Sequence, residues 1–90
     1  MSITVHLYSS LQQYTGGHDI VEAEGMTVGE CLNDLVTQYP EIKPSLFAED
    51  GELSKGVFVS INLESPYSEN LNTPIKNKAN LYLILILAGG

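Results

Sequence analysis

Asn80-Leu81-Tyr82-Leu83-Ile84-Leu85-Ile86-Leu87-Ala88-Gly89-Gly90 is the stretch that decides the fold. From Leu81 to Leu87 both alternate faces are apolar. That pattern predicts a strand central to a sheet and covered on at least part of each side. The apolar run Leu81–Ala88 is far below the roughly 20 residues that span a bilayer. The run then gives way to Ala88-Gly89-Gly90.

Working outward, Asn70–Asn80 is rich in turn formers, with room for a short edge strand near Leu71. Val57, Val59 and Ile61 alternate with Phe58, Ser60 and Asn62, which predicts a strand over 57–62. Glu41–Gly56 reads as a long, charged connection with one helical turn at Pro44–Phe47. Before it stands the clearest helix signal. Thr27-Val28-Gly29-Glu30 has the form of a capping box, and Val28, Leu32, Leu35, Val36 and Tyr39 form one apolar stripe. Pro40 stops that helix, predicted over 28–39. Ile3, Val5 and Leu7 alternate with Thr4, His6 and Tyr8 in a first strand. A connection with Leu11 and Tyr14 turns at Gly16-Gly17 into a second strand over 19–23, with Ile20 and Ala23 expected inward. The order is hairpin, helix, loop, strand, short strand, long apolar strand. It predicts an α+β domain over residues 1–90, a β-grasp (ubiquitin-like) fold. One main helix would pack across a mixed sheet of four to five strands, and a flexible tail would begin at about residue 88.

Composition narrows the function. Ninety residues carry eleven acidic side chains against four lysines and no arginine, a net charge of −7. Phosphate binding needs a basic face, so no nucleic-acid partner is expected. An acidic domain is steered instead towards a basic patch on another protein. The N-terminus has no signal-peptide pattern. With one cysteine and no membrane segment, the protein is expected to be cytoplasmic.

The tail is where chemistry is expected. Two glycines without Cβ atoms make an extended segment thin enough for a narrow active site on another protein, and four residues reach about 13–14 Å. A terminal carboxylate, with a reference pKa of about 3.3–3.7, is ionised and a poor electrophile at neutral pH. It enters acyl transfer only once activated, for instance by ATP to an acyl-adenylate that sulfur or an amine then attacks. The carrier would supply the reacting group and its partners the catalysis.

This order of elements, the helix capped by Thr27, the Thr15-Gly16-Gly17 loop and the ending Leu85-Ile86-Leu87-Ala88-Gly89-Gly90 resemble the prokaryotic sulfur carriers. That family is of the ubiquitin-like class and includes molybdopterin, thiamine and cysteine types. The length and the loop favour the molybdopterin and cysteine types. The resemblance implies that the chain is no enzyme. A ubiquitin-activating-type adenylyltransferase would adenylate Gly90, and the resulting thiocarboxylate would pass sulfur to a sulfur-accepting synthase. ATP and Mg are expected on the activating partner and no cofactor on this chain. Gly89 would thread the active site, and Tyr82, Ile84, Ile86 and Ala88 would contact partners. The sequence departs from the family in Lys76-Asn77-Lys78-Ala79-Asn80, where an acidic-glycine turn is common, and in having no proline in Leu85-Ile86-Leu87.

The remaining candidates read as structural. Cys31 sits on the helix stripe as a buried thiol, His6 on the outer face of the first strand and His18 in a turn. No metal site is expected from two histidines and one cysteine without ligand spacing. Two rivals to the carrier stay open: a protein modifier joined through Gly90 to target lysines, and an interaction domain with no chemistry at its end.

Overall fold

The period-two patterns from both ends of the chain meet in one mixed sheet. The computed structural model describes residues 2–63 and 70–85. Strands β1 (Ser2–Leu7) and β4 (Asn80–Leu85) lie parallel at the centre, with Val5 opposite Leu81 and Leu7 opposite Leu83. Strand β2 (Ile20–Glu24) pairs antiparallel with β1, and β3 (Val57–Ile61) antiparallel with β4, giving the order β2-β1-β4-β3. Alternation sends Ile3, Val5, Leu7, Val21, Ala23, Val57, Val59, Leu81 and Leu83 to one face, where all are buried.

Helix α1 (Val28–Gln38) closes that face, burying Val28, Cys31, Leu32 and Leu35, with Val36 and Tyr39 packed against the same cluster. The N–H groups of Val28, Gly29 and Glu30 at its N-terminus all have partners. Thr27 Oγ1 accepts from the Glu30 N–H at 3.2 Å, while the Glu30 carboxylate accepts from the Met26 N–H at 2.9 Å. Glu30 thus reaches one residue further back than in the usual reciprocal box. The Val28 and Gly29 N–H groups donate to the carbonyls of Thr73 at 3.0 Å and Leu71 at 2.8 Å. These are donors that a helix cannot satisfy internally. A Cβ on Gly29 would stand 2.9 Å from the Leu71 carbonyl oxygen, so the close approach requires glycine. The helix ends at Gln38, with Tyr39 out of the helical region before Pro40.

Two expectations change and a third is extended. Ile20 faces outward and is 50% exposed, because pairing with His6 puts it on the side of the sheet away from α1; Ala23 faces inward as expected, and Val21 takes the inward place given to Ile20. The short edge strand expected near Leu71 is a turn followed by a docking segment. Asn70 Oδ1 accepts from the Asn72 N–H at 2.8 Å, and the Leu71 and Thr73 carbonyls go to α1, not to a ladder. Only an isolated bridge, Thr27 to Pro74, forms there, and the sheet among the described residues has four strands. Residues 41–56 hold the expected helical turn, one residue earlier than predicted, and also contribute to the core. A 3₁₀ turn (Pro40–Ile42) and a single helical turn, α2 (Lys43–Leu46), bury Ile42 and Leu46 at one end of the core. The chain then reverses through Gly51 at φ +87°, with Phe47 bridged to Leu53.

Candidate functional site

The period of two that buries Leu81 and Leu83 turns Tyr82 and Ile84 to the opposite, outer face of β4. Both are half-buried and lie outside the core cluster. The cover expected on both sides of β4 is therefore one-sided among the described residues, since α1 is spent on the inner face. Ile86, Leu87, Ala88, Gly89 and Gly90 lie outside the described residues, and so does the tail expected from about residue 88.

Across the middle of the outer face runs a row from all four strands: Ile20, His6, Tyr82 and Ser60. The His6 ring stacks on Tyr82, with centroids 4.3 Å apart and planes 12° from parallel. Its Nε2 lies 2.8 Å from Asn80 Oδ1, which fixes the ring's orientation. Nearer the C-terminal end of β4, Ile84 stands opposite Phe58. Tyr8, extended directly after β1, donates its N–H to the Leu83 carbonyl at 3.1 Å. Tyr8 is 52% and Phe58 42% exposed. Towards the start of β4 the face becomes polar, with Glu22, Thr4 and Asn80 in one row. The apolar half thus adjoins the point where β4 leads into residues 86–90.

Sequence reasoning had named Tyr82 and Ile84 but not their neighbours Tyr8, Ile20 and Phe58. The alternation of Phe58 with Val57 and Val59 was the available signal for one of them; the register that brings it beside Ile84 was not.

The other chemistry-bearing groups stay apart from this face. Cys31 is buried on α1, where burial pushes its thiol above the usual range and the Glu30 and Asp34 carboxylates add to the effect. That holds the group as an unreactive thiol. No three His, Cys, Asp or Glu residues among those described converge as a metal site would require. No helix among them is long and apolar enough to cross a membrane.

A helix laid across one face of a mixed sheet, with the first and last strands parallel at its centre, defines a ubiquitin-like β-grasp domain. The family model described as the ThiS family matches residues 5–90, and the chain belongs to that family. Its similarity to sulfur carrier protein CysO of Mycobacterium tuberculosis (strain H37Rv) is 31% identity over 93 residues, with 100% of both chains covered. Among solved structures, a chain of the BexX/CysO complex from Amycolatopsis orientalis superposes with a TM-score of 0.83 at 32% identity, covering 98% of this chain and 99% of that one. SAMP1 from Haloferax volcanii superposes at 0.85 with 26% identity and full coverage of both.

Proposed function

We propose that the protein is a sulfur carrier, consumed and regenerated by partner enzymes, with the Gly90 carboxylate as its working group. The observation that carries the reading is full-length similarity to a sulfur carrier protein, with Gly89-Gly90 inside the stretch that the ThiS family model matches. The position of β4 supports it. Held between two neighbours, the strand is described to Leu85, and the five remaining residues reach at most about 18 Å. That is long enough to enter an active site while the outer face stays docked.

In the proposed sequence a Gly90 carboxylate oxygen attacks the α-phosphorus of ATP on a ubiquitin-activating-type adenylyltransferase, and pyrophosphate leaves. Mg bound with the ATP on that partner offsets the phosphate charge. Sulfide then attacks the acyl carbon and AMP leaves, which turns the carboxylate into a thiocarboxylate. A sulfur-accepting synthase takes the sulfur, and similarity to CysO favours a cysteine-type acceptor over a molybdopterin-type one. Gly89 threads the active site, and Tyr82, Ile84, Ile86 and Ala88 contact the partners. ATP and sulfide chemistry of this kind belongs in the cytoplasm.

The test is the intact mass of the protein after incubation with ATP, sulfide and the host's activating enzyme. Replacement of one carboxylate oxygen by sulfur is expected. A chain extended by one residue after Gly90, and shown not to be trimmed, should gain nothing; thiocarboxylate-dependent activity from that chain would overturn the reading. The structural likeness to SAMP1, a small archaeal modifier protein, supports a second fate for the same adenylate: attack by a lysine amine of a target protein. Covalent adducts to other proteins with no sulfur gain would select it.

A further inference from the structure

The β2 edge of the sheet, one of its two edges among the described residues, is closed by two side chains of α1. Strands β1 and β2 pair so that the Leu7 N–H bonds the Asp19 carbonyl at 2.8 Å. The antiparallel alternation that follows turns the main-chain groups of Ile20, Glu22 and Glu24 away from β1, towards the open side. Two of those groups are taken. The Glu24 N–H donates to Asp34 Oδ2 at 3.0 Å, and Gln38 Nε2 donates to the Glu22 carbonyl at 2.8 Å. Gln38 Nε2 also donates to Asp34 Oδ2 at 3.0 Å, tying together two residues one helical turn apart. A single residue of a parallel neighbouring strand, opposite Ala23, would use the same two main-chain groups. It would accept from residue 24 and donate to the carbonyl of residue 22.

We propose that Asp34 and Gln38 form an edge guard, which keeps β2 from pairing with the β2 of a second copy of this chain. An open edge strand is a template for another strand, and an antiparallel contact about a two-fold axis is self-complementary. The side chains of Glu22 and Glu24 would face their counterparts across such a contact and repel them, a second barrier that salt removes. The guard is independent of any chemistry at Gly90.

Sedimentation of the double variant Asp34→Ala/Gln38→Ala tests this in about 1 M salt, where the Debye length is about 3 Å. The wild type is expected to stay at the mass of one chain. The variant is expected to move towards twice that mass as its concentration rises, with slowed hydrogen exchange at the Ile20 and Glu22 amides in the dimer. A folded variant that stays at one chain's mass overturns the proposal. So does self-association that leaves those two amides exchanging freely, because the contact would then lie elsewhere. Should the double variant not fold, Gln38→Ala alone frees the Glu22 carbonyl and removes only an exposed side chain. It is held to the same outcomes, with a weaker dimer expected.

Discussion

Leu83 and Ile84 are consecutive residues of one strand with nearly the same volume, and they meet different fates. Leu83 is 1% exposed and packed under α1, whereas Ile84 stands half-buried on the outer face beside Phe58. Hydrophobicity does not distinguish them. The difference is α1, which covers one face of the sheet and, among the described residues, leaves the other to whatever partner the protein meets. An apolar face that is not spent on folding is available for association.

Substitution at the two sites should separate the roles. Leu83→Ala removes buried methyl groups with little room for the core to relax, and is expected to cost about 2–5 kcal/mol by chemical denaturation. Ile84→Asp puts a poor strand former on the open face and is expected to cost about 1–2 kcal/mol. Its larger effect should be on association, with binding to the activating enzyme weakened by about tenfold or more in a titration. Equal losses of stability at the two positions would mean that the outer face is also core.

Cys31 reports on the dry side of the same comparison. Its folded-state pKa is raised by burial and by its acidic neighbours, so the folded chain keeps the proton longer than the unfolded one does. The contribution is fully present below the unfolded value of about 8.5 and is lost as pH rises from there through the folded value. Between pH 8 and 10 the wild type should lose stability more steeply than Cys31→Ala. The difference is at most about 1.4 kcal/mol per pH unit for one proton. Parallel pH profiles would show that Cys31 ionises alike in both states.

How much was legible follows from how local each signal is. The helix over 28–38 was legible because cap, stripe and stop all lie within fourteen residues, Thr27 to Pro40, and each acts on its neighbours. The outward face of Ile20 was not. Within 19–23 the residues Ile20, Val21 and Ala23 are all apolar, and only pairing with His6 chooses which parity faces in. Ile42 and Leu46 were hidden among charged neighbours because their burial is set by the end of the core they plug. The surroundings of Leu71 suggested a strand, yet the carbonyls of Leu71 and Thr73 serve the first amides of α1, more than forty positions earlier in the chain. For the candidate site, Tyr82 and Ile84 could be named from β4 alone, while Tyr8, Ile20 and Phe58 came from three other segments.

By itself the sequence determined the strand and helix periods and the cap at Thr27, which depend on residues close together along the chain, and the acidic charge and the Gly89-Gly90 pair, which need no folding to be read. Tertiary structure alone decided which face of the sheet α1 covers, which residues join Tyr82 and Ile84 outside, and which side chains close the β2 edge. Those outcomes rest on register and packing between segments tens of residues apart, where the free-energy differences come from contacts that no local pattern encodes.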